Sequence, residues 1–341
     1  MTFLPSPARR GAVLILGALP VLPALAQQPA SSFDKSSGGS GQAWPTKAVR
    51  LLVPFPPGGG NDILARAVGQ RLSERLGQQV VVDNRGGAGG LVGATLAATA
   101  LPDGYTIFLA SLGNLAVNPA LHEKPPYDPV KDFAPIVLLA TSSFIVVVTN
   151  SLPANSIKEF VALAKAKPGG LNYGSAGAGS SLHLTAEIFK QATGTNIVHV
   201  PYKGTAPAIT ELIAGQVQVM FSTMPPALPQ VKAGKLRALG VTTAKRAAAA
   251  PELPTVAEAG IAGFDVSNWQ GMVGPAKLPR PLIDQLNRDL NAALKTPQLV
   301  DTLAAQGLEA AGGTPAQFAA LIKTEVAKYA VVIKAGGIKA E

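Results

Sequence analysis

The sequence predicts an α/β protein built as two lobes, and three observations predict it. Short apolar runs alternate with amphipathic helical stripes. The alternation occurs in two successive series of similar layout. In each series a glycine-rich turn joins a strand to a helix, at Pro54–Asp62 and at Tyr173–Ser181. Repeated β-α-β units of this kind imply a largely parallel sheet covered by helices on both faces.

Order is expected to begin near Trp44-Pro45, and Val49 to Val53 is the first apolar strand. A helix follows from about Asp62 to Leu76, with Ile63, Leu64, Ala67, Val68, Leu72 and Leu76 on one stripe and Gly77 as its stop. Val80 to Val82 reads as a strand, Leu91 to Thr99 as a small-residue helix, and Tyr105 to Ala110 as the strand after the Asp103-Gly104 turn. Ile136 to Thr149 is extended and apolar enough to cross between lobes. The second series runs through a helix at Ser156–Lys167, a strand at Leu171–Gly174, a helix at Leu182–Thr193, a strand at Ile197–Pro201, a helix at Pro207–Ala214 and a strand at Val217–Ser222. Val231–Ala233 and Leu236–Thr242 continue that lobe, and Asn268 to Pro275 is the return crossing. Helices at Pro281–Leu294, Pro297–Gln306 and Pro315–Ala335 end the chain. The expected division is therefore residues 44–142 with 269–341 as one lobe and 143–268 as the other.

Composition narrows the function. The 341 residues suffice for two ordinary domains. At 47% hydrophobic and 14% charged, the chain is neither disordered nor nucleoprotein-like. Basic residues exceed acidic ones, for a formal charge of +9. They form no run and interleave with no aromatics, which argues against nucleic acid and fits attraction of a small anion. The absence of cysteine excludes disulfides, thiolate nucleophiles and cysteine metal sites.

At the N-terminus, Arg9-Arg10 precede the apolar stretch Gly11–Leu25, which ends in Ala24-Leu25-Ala26. A basic segment, a short apolar run and an A-x-A-like site form a cleavable secretory leader over residues 1–26. The run is shorter than the ~20 residues a membrane span needs. The paired arginines raise twin-arginine export, though their surroundings match that signal poorly. Residues 27–43 are Ser/Gly/Gln-rich and are expected to be a flexible tether.

The two glycine-rich turns are the candidate site. Ligands in open α/β sheets bind at the carboxyl ends of strands. Glycines permit close backbone approach there, and helix starts offer unpaired N–H groups with partial positive charge. A carboxylate held by two such loops needs no dedicated arginine. Tight turns without a ligand would have the same composition. Neither turn carries a third glycine for a dinucleotide fingerprint, and no P-loop motif occurs. Two roles are open to Asp62, capping the helix or contacting a ligand, and capping is the plainer one. His183 has two as well, donation to an anion or capping of its own turn. His199 reads as a core residue. Asn84-Arg85-Gly86-Gly87 has the composition of an anion site, and anchoring a turn beside the cleft is its plainer role. Ser175 lies in YGSAG, one glycine short of a nucleophile elbow, so a hydrolase using Ser175 or Ser111 with one histidine is a distant alternative. No metal site and no cofactor is expected, since no H-E-x-x-H or i,i+4 histidine pair exists.

At these residues the chain resembles the tripartite tricarboxylate transporter receptor family, also called the Bug family of periplasmic solute-binding proteins. The resemblance rests on PFPPGGGNDILAR (54–66), VVDNRGGAGGLVGA (81–94), PDGYTIFLAS (102–111), NYGSAGAGSSLHLTAE (172–187), VPYKGTAPAITELIAGQV (200–217) and WQGMVGPAKLPRPLIDQLN (269–287), in that order. It implies a two-lobed periplasmic-binding-protein fold, type II-like, with the ligand in the interlobe cleft. It further implies a carboxylate ligand, export to the periplasm, hinge closure, no catalysis, and a monomer that meets integral-membrane transporter subunits or a sensor ectodomain. A signalling or envelope role on the same fold is the alternative. Carried over, the grip falls to Phe55, Pro57, Gly58, Gly59, Gly60, Asn61 and Asp62 on one side. On the other it falls to Ser175, Ala176, Gly177, Gly179, Ser180 and Ser181, with His183 nearby. Ser111, Asn114, Lys203, Thr223 and Met224 line the rest. One departure is Gln218, where family members often carry an acidic residue, and no role is carried onto it.

Overall fold

The computed structural model describes residues 44–339. The expected leader and tether lie outside the described residues. The first series forms β1 (Val49–Val53), α1 (Gly60–Leu76), β2 (Val80–Asn84), α2 (Leu91–Ala98) and β3 (Thr106–Ser111). β4 (Phe133–Thr149) then leads into α3 (Ile157–Ala166), β5 (Asn172–Ser175), α4 (Ser181–Thr193), β6 (Val198–Pro201), α5 (Thr205–Ile213), β7 (Val219–Thr223), α6 (Met224–Lys232) and β8 (Leu236–Val241). The chain ends with β9 (Ser267–Pro275), α7 (Arg280–Leu294), α8 (Pro297–Ala305), β10 (Glu309–Ala310) and α9 (Pro315–Gly336).

Local chemistry explains the elements that frame the site. α1 buries Leu64, Ala65, Val68 and Leu72 on one stripe. It stops at Gly77, whose φ of 65° is left-handed and suits glycine. α9 starts on a Thr314/Gln317 capping box and buries Phe318, Ile322, Tyr329 and Ile333 at helical spacing.

The sheet runs β2-β1-β3-β9-β4-β7-β5-β6. β1 is parallel to both β2 and β3, and β5 is parallel to both β6 and β7. The expectation of a largely parallel sheet holds for those two halves but fails where they join. β9 is antiparallel to β3 and to β4, and β4 is antiparallel to β7, β8 and β10. A strand that leaves one half and a strand that returns to it must run in opposite directions, so an out-and-back pair is antiparallel. β4 pairs with β9 through Ser143 and with β7 from Phe144 onward, so its partners change at that step.

The helix α6 was not foreseen. Met224-Pro225-Pro226 reads as a breaker, yet proline in the first turn has no N–H that the helix needs.

Candidate functional site

Four helix starts meet loops of the other half of the chain. α1 begins at Gly60, α4 at Ser181, α5 at Thr205 and α6 at Met224. Their closeness can be measured by the space a side chain would have at neighbouring glycines. A methyl at Gly60 would lie 2.8 Å from Thr223 Oγ1, and one at Gly59 would lie 3.8 Å from the Thr205 side chain. A methyl at Gly113 would lie 3.0 Å from the Ser181 nitrogen. At Gly89 it would strike the Ala178 carbonyl oxygen at 2.2 Å. Residues of the two series are therefore in direct contact, the first glycine loop with Thr205 and Thr223 and the Gly86–Gly90 turn with the second glycine loop. The first N–H groups of a helix have no partner within it, so this convergence concentrates positive potential at one place.

The floor is polar and incompletely paired. Gln270 Nε2 donates to Asn61 Oδ1 at 3.0 Å, joining β9 to the start of α1. Asn61 Nδ2, Gln270 Oε1 and Thr223 Oγ1 are buried with no hydrogen-bond partner. Ser142 Oγ and Asn268 Oδ1, opposite one another on β4 and β9, are in the same condition. Burying such a group unpaired costs about 1–3 kcal/mol, so several together mark a place completed by something else. A cavity of about 150 Å³ is lined by Phe55, Gly89, Ala176, Gly177, His122 and Lys203, among others.

Asp62 is committed to its own loop. It accepts from the Gly58 N–H at 2.9 Å, from Asn84 Nδ2 at 3.0 Å and from Arg66 Nε at 3.1 Å. Burial pushes its carboxyl up, but the hydrogen bonds from Arg66, Gly58 and Asn84 outweigh that and hold it below the ordinary value. Asn84 also donates to the Phe55 carbonyl at 2.9 Å, so the Asn84 turn does anchor the first glycine loop.

Ser111 and Asn114 pair with each other: the Ser111 N–H donates to Asn114 Oδ1, and Asn114 Nδ2 donates to Ser111 Oγ. They fix the turn after β3. In the second loop, Ser180 caps α4 through the His183 N–H, and the Gly179 N–H donates to His183 Nδ1 at 3.3 Å. His183 thus takes part in its own turn. Its ring stacks on His199 at 4.3 Å, and His199 stacks on Tyr173 at 4.8 Å. Ser175 Oγ lies 2.6 Å from His199 Nε2 and accepts from the Gly177 N–H, which ties the second loop to β6. Met224 is fully buried, and a methyl at Gly307 would lie 2.7 Å from its Cβ. Pro57 and Lys203 are exposed at the rim. Gln218 accepts from the Asn172 N–H at 2.9 Å, a bond a carboxylate would also make, and its amide donates to the Gly215 carbonyl.

Sequence reasoning missed Gln270, Asn268, Ser142 and Gly89. A glutamine and an asparagine inside the apolar crossing Asn268–Pro275 were the available signal for the first two.

Residues 64–338 match the model of the tripartite tricarboxylate transporter family receptor. Protein BugT of Bordetella pertussis is 36% identical over 301 residues, covering 88% of this chain and 92% of that one. An R. palustris protein solved with adipate superimposes with a TM-score of 0.85 at 38% identity, over 87% of this chain and 99% of the other. MatC from Rhodopseudomonas palustris, solved with bound malate, gives 0.82 at 31% identity, over 85% and 100%. A family match across most of the chain, with relatives above 30% identity over nearly their whole length, places this protein in the tripartite tricarboxylate transporter receptor family.

Proposed function

We propose that this receptor captures a small carboxylate by shutting two lobes upon it, one formed by residues 44–142 with 269–341 and the other by 143–268. The observation that carries the reading is the set of buried, unpartnered polar atoms on Asn61, Thr223 and Gln270 beneath converging helix starts. A carboxylate, directly or through water, accepts from the N–H groups and from Asn61 and Thr223. A donor on the ligand or a bridging water satisfies Gln270 Oε1. Two relatives of this fold were solved with adipate and malate, which supports the ligand class. The contact between Gly89 and Ala178 supports hinge closure, in which the ligand favours the shut state by differential binding.

The leader over residues 1–26 directs the chain to the periplasm, where it hands its ligand to membrane subunits of the transporter. No helix among the described residues is long and apolar enough to cross a membrane. The test is a thermal-shift screen of the mature chain against C4 to C6 dicarboxylates, tricarboxylates and aromatic acids. At least one acid raises the melting temperature; a flat response across all three classes would refute the ligand class.

A second reading has one observation in its favour. The 2.6 Å contact of Ser175 Oγ with His199 resembles the nucleophile–base pair of a hydrolase. Ser175 is fully buried and its oxygen already accepts from Gly177, which fits a loop brace better. Ester turnover that disappears in Ser175→Ala would favour the hydrolase.

A further inference from the structure

The reverse side of the hinge carries a second cavity that the ligand site does not use. It measures about 280 Å³, and Ser143, Ala248, Ala249, Ala304, Leu308 and Ala310 are among its lining residues. Side chains alternate across a strand. Ser142 faces the polar floor with Asn268, so Ser143, the next residue of β4, faces the opposite way. Ser143 is also where β4 changes partners. Its hydroxyl contacts that of Thr243, at the start of the segment that carries the alanines. The walls come from both sides of the change: residues 247–249 follow β8, and residues 300–310 span the end of α8, the turn after it and β10.

Two bodies that turn about one line approach in front of it while they part behind it. The front is in contact here, with Gly89 on Ala178 and Gly60 on Thr223. The back is an alanine- and leucine-walled gap that is not packed to the density of an interior. We infer that this gap is a counterweight to closure. When the lobes open, Ala247–Ala249 move against Ala304 and Leu308 and bury apolar surface. When a ligand shuts the cleft, that surface is exposed again. The apolar contact behind the hinge holds the unliganded receptor open, and its area sets part of the ligand affinity. This rests on the two-lobed reading above.

The chain has no cysteine, so a spin-label pair can be introduced without background. Labels at Lys124→Cys and Val198→Cys, both exposed and on opposite lobes, report the cleft width by pulsed dipolar spectroscopy without any ligand. Ala304→Leu and Ala248→Leu, each at an exposed position, wedge the gap from opposite walls. Each is expected to raise the ratio of short to long distances by about tenfold. An unchanged distribution in both variants, or a shift to longer distances, overturns the inference. Because no ligand is added, the result is separate from the ligand class. If distances respond and no acid binds, the counterweight stands and the carboxylate reading falls. If an acid binds while neither wedge moves the distances, the counterweight alone falls.

Discussion

Replacing Gly89 by alanine tests lobe closure with a built-in control. A methyl group there would lie 2.2 Å from the Ala178 carbonyl oxygen, and also 2.9 Å from Asn118 Nδ2 and 3.0 Å from the Ser180 nitrogen. Carbon and oxygen in contact need about 1 Å more than the first of these distances allows. The obstructing atom is backbone, so no rotamer change relieves it. The second glycine loop must withdraw by about that distance, which separates the α4 start from the floor and loosens every hydrogen bond that depends on closure. Affinity for the best acid should fall at least about 100-fold, equivalent to about 2.7 kcal/mol. Alanine at Gly89 also suffers backbone strain, since its φ is 61°, and this costs about 1–2 kcal/mol whatever the lobes do. Gly77 separates the two effects. Its φ is 65°, and a methyl there would meet nothing within 4 Å. Gly77→Ala should lower the melting temperature by a few degrees, as Gly89→Ala does, and leave affinity unchanged. Titration calorimetry on the two variants decides the matter. Equal affinity in both would show that the Gly89 contact has no part in closure.

Other substitutions give separable signs. Thr223→Val keeps the shape and removes a buried hydroxyl that has no partner. It should stabilise the unliganded protein by about 1 kcal/mol while weakening acid binding about tenfold, read by melting curves with and without ligand. Gln270→Leu severs the bond to Asn61 and should weaken binding with its melting temperature lowered by only a few degrees, since one partner of that pair is left unsatisfied. Asp62 is held below its ordinary value in the folded state, so its stabilising contribution is present above the unfolded carboxyl pKa and is lost as pH falls through the folded one. Asp62→Asn should therefore cost about 1–2 kcal/mol at pH 7, with Arg66 half exposed, and the gap to wild type should vanish in acid denaturation.

Most of the fold was legible because it rests on local chemistry. The α1 stripe ending at Gly77 and the apolar runs of β1 and β3 follow directly from side-chain period and turn residues. α6 was hidden because its opening prolines act as breakers everywhere except a first turn. The antiparallel join was hidden too, since strand direction depends on where the chain goes next, and no window on one strand holds that. The glycine loops could be read as candidates, but their partners could not. Gln270 stands 209 positions from the Asn61 it bonds, and Gly89 bears on closure through Ala178, which lies against it from 89 positions further along the chain. Asp62 shows the local case: of the two roles open to it, the plainer one within its own loop is visible, its oxygens accepting from Gly58, Asn84 and Arg66.

The most direct measurement is a crystal structure of the mature protein with the acid that binds it most tightly. A carboxylate is expected between the starts of α1 and α4, within hydrogen-bonding distance of Asn61 Nδ2 and Thr223 Oγ1 directly or through one water. An acid seated elsewhere, with both of those atoms still unpartnered, would contradict it.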